Sequence, residues 1–403
     1  MRFISIILTL AVCCSCKPVA LYSQSKDSTI FVDFYGDSIE VAADLSNIGP
    51  SISFLSDSVV QAFYERFSNS GNNLTINNLL AYREKYQLDD WLYYQLVRST
   101  AERMSPKAAN YQRYTLCKWF LLVKSGYATT ISIRREKLLL YIQSNDEVFN
   151  IPYRMVNGGQ YICLNYHDYG AIDFEKEKFT PLQISIPAAQ KSFTYQIKKI
   201  PLLGNENYSV KELQFDYYQT AYYFKVMMNN QIKKVFKNYP VVDYKTYFNI
   251  PLSKITYSSL VPALRENIAK MSKKDGVDYL MRFTRYAFSY ETDTKIYGSE
   301  NRLSPELTLL SDNSDCEDRA ALFFYLVREL YNIPMIVLAY PEHITIAVEF
   351  DKLSGEPIEY NGKKYWVCEP TPQRKDLRMG QSIKSLRKAS YQIVYAYNPE
   401  VSP

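Results

Sequence analysis

Two stretches of this chain share one order of local patterns, in which helical periodicity gives way to short strands. In residues 57–126 and 256–331, apolar side chains recur every three to four residues, which indicates amphipathic helices. In 128–165 and 334–369, apolar and polar residues alternate, as they do in half-buried strands. This order predicts an α+β fold.

The last strand of each stretch suggests that one stretch is a copy of the other. Cys163 lies in an apolar run that overlays the run containing Cys368. With these two cysteines aligned, Leu164 stands where Glu369 stands. The hypothesis is that the N-terminal α+β domain is a degenerate copy of the C-terminal domain without its polar residues.

Changes of pattern divide the chain of 403 residues into three predicted domains after a leader. An N-terminal α+β domain covers 24–168, a mainly β middle domain covers 169–255, and a C-terminal domain covers 256–403. The middle domain is inferred from alternation with period two in 182–186 and 193–197. A chain of this length is long enough for two or three domains.

Residues 1–23 have the features of an export signal, with one basic residue, a short apolar core and then small residues. The apolar core is too short to span a bilayer. Cys16 after Ser15 is compatible with a lipoprotein signal, whereas cleavage near Ser23 would release a soluble exported protein. We expect export, to the periplasm or as an outer-membrane or cell-surface lipoprotein that contacts the membrane through its lipid.

The charge and the aromatic content bear on possible partners. The net charge is +5 and no run of Lys or Arg stands out, so the sequence lacks the basic footprint of nucleic-acid binding. Tyrosine is abundant, with 37 residues, which is typical of half-buried sheet surfaces. A tyrosine-rich surface that binds carbohydrate or peptide is the alternative interpretation.

Four cysteines lie beyond the leader, and one of them differs from the rest in its surroundings. Cys117, Cys163 and Cys368 lie in apolar runs, which predicts that they are buried small side chains. Cys316 instead stands among polar residues where a helical pattern begins.

The residues around Cys316 predict a capped helix terminus. Ser314 and Glu317 have the S-x-x-E spacing of a capping box, so Ser314 is the expected N-cap and Cys316 the second helical residue. Unpaired N–H groups and the positive end of the helix dipole favour a thiolate at such a position.

Histidine is scarce, and one of the two histidines stands at a structurally useful point. His343 begins a predicted strand and Glu369 ends the next one, so both can meet the start of the Cys316 helix at one edge of a sheet. An imidazole can take the proton of the thiol, and a carboxylate can orient the imidazole. The other histidine, His167, is predicted to be a loop residue without a special role.

The same three residue types could also bind a metal ion. Cys, His and Glu are all metal ligands, but nothing in the sequence supplies the close ligand pairing typical of zinc sites. A catalytic triad is the favoured interpretation, and we expect neither a metal nor a cofactor.

Three segments carry a resemblance to a known group of enzymes. They are Ser314-Asp-Cys316-Glu-Asp-Arg-Ala, Pro341-Glu-His343-Ile-Thr-Ile-Ala-Val and Tyr365-Trp-Val-Cys-Glu369-Pro-Thr-Pro. Together they resemble the core motifs of the transglutaminase-like superfamily, which has the papain-like cysteine enzyme architecture. The resemblance implies Cys316 as nucleophile, His343 as general base and acid, and Glu369 as the orienting acid. The family usually has Asp where Glu369 stands.

The resemblance covers residues of about 256–380, and it implies an activity. The expected function is acyl transfer at an amide through a cysteine thioester, with hydrolysis of a peptide or isopeptide bond in a peptide or protein substrate. The alternative is a non-catalytic surface-binding or scaffold protein that retains the fold.

Two roles in such a site stay open at the level of the sequence. An oxyanion hole would use the N–H of the nucleophile and a second donor, for which Tyr290, Tyr297 and Asn301 are candidates because they precede the helix. Asp315 or Asp318 could instead orient the imidazole or bind a substrate amine, although both also suit the N-terminus of a helix.

Overall fold

The computed structural model describes residues 28–70, 72–187, 189–291 and 302–399. The predicted export signal with Cys16 lies outside these residues. Within them the protein is a mixed α+β structure with ten α-helices and two five-stranded sheets. No helix in the described ranges is both long enough and apolar enough to cross a membrane.

A β-hairpin opens the described chain and four helices follow it. Its strands pair antiparallel, and the turn at Tyr35 and Gly36 has positive φ at both residues, as a type I′ turn requires. The elements are β1 (Ser28–Phe34), β2 (Asp37–Ala43), α1 (Asp57–Ser68), α2 (Asn73–Tyr86), α3 (Asp90–Met104) and α4 (Tyr111–Lys124).

The first five-stranded sheet follows α4. The strands in this part of the chain are β3 (Thr129–Arg134), β4 (Lys137–Gln143), β5 (Val148–Phe149), β6 (Tyr153–Val156), β7 (Gly159–Cys163) and β8 (Thr180–Pro181). All of them except β5 belong to the sheet. The strand order is β6-β7-β4-β3-β8, and every neighbouring pair is antiparallel. We call residues 57–181 the N-terminal unit.

The middle of the chain connects this unit to the second sheet. Its elements are β9 (Tyr208–Tyr217), β10 (Thr220–Asn229), α5 (Ile232–Val235), β11 (Val241–Val242) and α6 (Tyr244–Phe248). The hairpin of β9 and β10 is a sheet of two strands, β11 pairs with β5, and β8 belongs to the first sheet. The alternating residues at 193–197 contribute a single bridge, between Phe193 and Ser144, rather than a strand.

The C-terminal unit, residues 254–397, combines helices with the second five-stranded sheet. Its helices are α7 (Lys254–Ile268), α8 (Lys273–Tyr286), α9 (Pro305–Leu310) and α10 (Cys316–Tyr331). Its strands are β12 (Ser289–Tyr290), β13 (Asn313–Ser314), β14 (Met335–Tyr340), β15 (His343–Glu349), β16 (Ile358–Tyr360), β17 (Lys363–Cys368) and β18 (Gln392–Tyr397). The sheet order is β16-β17-β15-β14-β18.

The two five-stranded sheets have the same strand order when their strands are matched in chain order. Each begins with a hairpin whose turn has two residues, because Arg134 pairs with Lys137 and Tyr340 pairs with His343. In each unit a long helix, α4 or α10, leads into this hairpin. Lys137 therefore occupies the position that corresponds to His343.

The register of the sheets corrects the cysteine alignment by one residue. Ile346 pairs with Cys368, whereas the N–H of Leu164 donates to the carbonyl of Leu140, which corresponds to Ile346. Leu164 thus matches Cys368, and Asn165 matches Glu369. Cys163 lies in a small cluster on the other face of its sheet, and a shift of one residue always exchanges the faces of a strand.

Candidate active site

The helix that carries Cys316 begins one residue later than the sequence predicts. Asp315 is the N-cap, and its carboxylate accepts hydrogen bonds from the N–H groups of Glu317 (3.0 Å) and Asp318 (3.2 Å). The capping box is completed by Asp318, whose carboxylate accepts from the N–H of Asp315. Ser314 cannot act as the cap because it belongs to β13, so Cys316 is the first helical residue.

This cap leaves one backbone donor at the nucleophile. The first N–H groups of a helix have no acceptor within the helix. Asp315 occupies those of Glu317 and Asp318, and it leaves the N–H of Cys316 itself. An N–H beside the thiol is the donor that an oxyanion formed at Cys316 would need.

The surroundings of Cys316 oppose a resting thiolate. Burial and the nearby carboxylates of Asp315, Glu317 and Glu369 raise the pKa of the Cys316 thiol to about 12, while the N–H of Ile344 acts in the opposite direction. The expected preference of the helix terminus for a thiolate is thus outweighed by burial and by these carboxylates. A thiol in this position needs a base to remove its proton during attack.

The base and the acid lie at the edge where β15 begins and β17 ends. The Nε2 atom of His343 is 2.8 Å from Oε2 of Glu369, and their side chains are 11% and 1% exposed. The other oxygen of Glu369, Oε1, accepts from the N–H of Thr371 at 2.9 Å. Both carboxylate oxygens are thus held, so the longer side chain of Glu reaches the imidazole in a fixed position.

Cys316 lies beside the first residues of the same strand. The N–H of Ile344, the residue after His343, is close enough to the sulfur to stabilise its charged form. Alternate residues of β15 face opposite sides of the sheet, because Ile344 and Ile346 enter the main core whereas Ala347 packs on the other face. The N–H of Ile344 and the charge of Glu369 therefore both act on the thiol, and no hydrogen bond links Cys316 to His343 among the described residues.

Two buried arginines connect α10, α8 and Glu369 through hydrogen bonds, and neither was predicted from the sequence. Arg319 is one turn beyond Cys316, and its guanidinium donates to the carbonyls of Arg285 (2.7 Å) and Phe288 (3.0 Å) at the end of α8. Arg285 in turn donates to the carbonyl of Glu369 at 3.1 Å. The signal available in the sequence for Arg319 was an arginine on an otherwise apolar helical face, whereas the face of Arg285 also carries Arg282 and Asp278.

One of the three candidate oxyanion donors is brought next to the nucleophile. Tyr290 pairs with Ser314 in the parallel bridge of β12 and β13. Burial, the Cys316 thiol and the Asp315 carboxylate raise the pKa of the Tyr290 hydroxyl. Tyr297 and Asn301 lie outside the described residues.

The remaining polar residues named from the sequence have other partners. Oδ1 of Asp318 accepts from the N–H of Leu303 at 2.8 Å, and Asp315 serves as the cap, so both act at the helix terminus. Nε2 of His167 is 2.8 Å from Nδ2 of Asn238, in another part of the fold.

The described residues contain four free cysteines, and they also bear on the alternative of a metal site. Cys117, Cys163 and Cys368 are free and buried, as predicted, and Cys316 is free and partly exposed. Within those ranges no group of three His, Cys, Asp or Glu side chains is arranged to hold a metal ion.

No protein-family model matches this chain, and no curated protein matches it either.

Proposed function

We propose that this protein is a transglutaminase-like cysteine enzyme that cleaves an amide through a thioester on Cys316. The observation that carries the proposal is the 2.8 Å contact between His343 and Glu369 at the sheet edge beside Cys316. Hydrolysis of a peptide or isopeptide bond is the favoured outcome, with an amine as the alternative acceptor.

The first half of the reaction forms the thioester. Because Glu369 accepts the hydrogen on Nε2 of His343, the lone pair on Nδ1 faces the other way and can take the proton of the Cys316 thiol. The sulfur attacks the amide carbon, and the N–H of Cys316 stabilises the oxyanion. The C–N bond then breaks, and the amine leaves with the proton that His343 had taken.

The second half returns the enzyme to its starting state. Nδ1 of His343 removes a proton from water, and the resulting hydroxide attacks the thioester carbon. The C–S bond breaks, the acid leaves, and the sulfur regains its proton from the imidazolium. Glu369 stabilises that imidazolium in both halves, which is the role of the third member of a triad.

One observation favours the alternative of a non-catalytic binding protein. A thiol with a pKa of about 12 is almost entirely protonated at neutral pH. If His343 did not reach the thiol, Cys316 would be as inert as a buried structural cysteine. Export, as a periplasmic protein or as a lipoprotein through Cys16, remains part of the proposal under either function.

Alkylation kinetics separate the two functions without knowledge of the substrate. The purified protein is treated with iodoacetamide between pH 5 and 10, and each cysteine peptide is quantified by mass spectrometry. A working pair makes Cys316 react far faster than Cys117 and Cys368 at neutral pH, and His343→Ala abolishes the difference. If Cys316 reacts only at strongly alkaline pH in both proteins, the enzyme proposal is wrong.

A further inference from the structure

In the N-terminal unit, a different residue type begins the helix that corresponds to the Cys316 helix. The first residue of α4 is Tyr111, and Asn110 caps the helix by accepting from the N–H of Arg113 at 2.8 Å. The hydroxyl of Tyr111 donates to Asp168 at 2.7 Å and accepts from Nδ2 of Asn165 at 2.8 Å. A tyrosine and an amide thus stand where the C-terminal unit has a thiol and a carboxylate.

A buried ammonium lies two turns further along the same helix. Lys118 is 1% exposed, and its Nζ lies 4.5 Å from the centre of the Tyr114 ring. Among the described residues, this Nζ donates no hydrogen bond to an oxygen. Burying an ammonium without an acceptor is costly, so this group calls for an anionic partner.

A second cation and an orphaned amide lie beside Lys118. Arg98, from α3, is close enough for its charge to lower the pKa of Lys118. Its guanidinium donates to Oε1 of Gln95 at 2.9 Å. The Nε2 group of Gln95 is buried and has no acceptor among the described residues. An ammonium, a guanidinium and an amide N–H therefore offer donors in one region.

The carboxylate of Asp168, whose charge acts on Lys118, already has hydrogen-bond partners for both of its oxygens. Oδ1 of Asp168 is 2.5 Å from Nζ of Lys107, and Oδ2 accepts from Tyr111. His167 does not add a positive charge at neutral pH, because burial lowers its pKa to about 4. Among the described residues, Arg98 and Lys118 form no ion pair, although the charge of Asp168 acts on both. The cations extend inward from Lys107, whose side chain is 43% exposed.

We propose that this basic cluster, formed by Gln95, Arg98 and Lys118 with the more exposed Lys107 nearby, binds an oxyanion. The N–H groups of a guanidinium suit the oxygens of a carboxylate, sulfate or phosphate, and an amide N–H can donate to the same group. The ammonium supplies a charge on the inner side. This site is separate from the proposed triad, and it does not depend on the chemistry of Cys316.

Thermal unfolding of the full protein tests the site. Sodium sulfate or sodium acetate is added up to about 10 mM, with chloride adjusted to hold ionic strength, at pH 6.5. We expect one of the two anions to raise Tm by several degrees in the native protein and in Lys124→Met. Lys124 lies on the same helix over the Phe120 ring, so this variant also loses an ammonium at an aromatic ring.

In Lys118→Met the anion should no longer raise Tm, or the same rise in Tm should require at least tenfold more anion. An equal rise in all three proteins would identify adventitious surface binding, and no rise with either anion would equally overturn the site. A difference between sulfate and acetate distinguishes a tetrahedral group from a carboxylate.

A second measurement uses the native protein alone, in case Lys118→Met does not fold. The anion effect should weaken as pH rises from 6.5 to 9, because burial lowers the pKa of Lys118 to about 7 and the ammonium is lost. The groups that act on Lys118 are Arg98 from α3, Lys107, Asp168 and Cys163. Sulfate keeps its charge over this range, so an anion effect that does not change with pH would contradict the site.

Discussion

The Nε2 atom of His343 lies 2.8 Å from Oε2 of Glu369, and this contact selects the ring nitrogen that can serve the thiol. A carboxylate is an acceptor only, so it holds the hydrogen on Nε2 and leaves the lone pair on Nδ1. An amide in its place could donate to Nε2 and hold the opposite tautomer. The carboxylate is therefore expected to matter for its charge as well as for its position.

Glu369→Gln should slow acyl transfer much more than it changes stability. The substitution keeps the shape of the side chain but permits the wrong tautomer and removes the charge that stabilises the imidazolium. Hydrolysis of p-nitrophenyl acetate should fall by about 10³-fold or more. Glu369→Asp is the matched control, and an equal loss in both variants would argue that only the fit of the side chain matters.

The pH dependence of thiol reactivity should separate the native protein from His343→Ala. Without the imidazole, burial and the neighbouring carboxylates hold the pKa of Cys316 at about 12, so the alkylation rate should rise about tenfold per pH unit up to that value. With the imidazole, the rate should be higher at neutral pH and nearly flat between pH 7 and 9. Iodoacetamide rates for the Cys316 peptide give both profiles, and parallel profiles would refute the pair.

Tyr290→Phe tests the second oxyanion donor. If the hydroxyl donates to the oxyanion, its loss should reduce the hydrolysis of p-nitrophenyl acetate by about 10²-fold. The alkylation rate of Cys316 should be unchanged, since alkylation by iodoacetamide forms no oxyanion. A proportional loss in both measurements would show that Tyr290 positions Cys316 instead.

Arg285→Met should misplace Glu369, and Arg282→Met is its matched control. Both arginines lie on α8 and pair with Asp376, but only Arg285 also donates to the carbonyl of Glu369. Each variant should lose about 1–3 kcal/mol in the free energy of unfolding, because buried acceptors lose their donors.

The rate of Cys316 alkylation at neutral pH distinguishes the two variants. It should fall in Arg285→Met and stay near the native value in Arg282→Met. Urea denaturation provides the comparison of stability, and an equal fall in both rates would mean that general destabilisation is the cause.

Stability on the alkaline side should depend on Lys118. Burial lowers the pKa of this group to about 7 in the folded protein, from about 10.4 in an unfolded chain. Between these values the unfolded chain binds more protons, so this group makes the free energy of unfolding rise with pH. In urea titrations the native protein should gain stability relative to Lys118→Met from pH 7 to 10. A constant difference would mean that Lys118 keeps its charge throughout.

Local patterns in the sequence were enough to predict several structural features of the site. The periodicity after Cys316 identified the α10 helix, and the alternation in 334–369 identified the strand that His343 begins. The apolar runs around Cys117 and Cys368 correctly predicted buried thiols. These features follow from neighbouring residues, because helical and strand periodicity determine which side chains share a face.

The tertiary structure decided the features that depend on residues far apart in the chain. Ser314 loses the cap position because it pairs with Tyr290, and the pKa of Cys316 rises because folding buries it near Glu369. The match of Asn165 to Glu369 required the pairing register, which no single strand contains. Burial, charge and register arise from contacts between distant segments, so the sequence determined the parts of the site and the fold determined their chemistry.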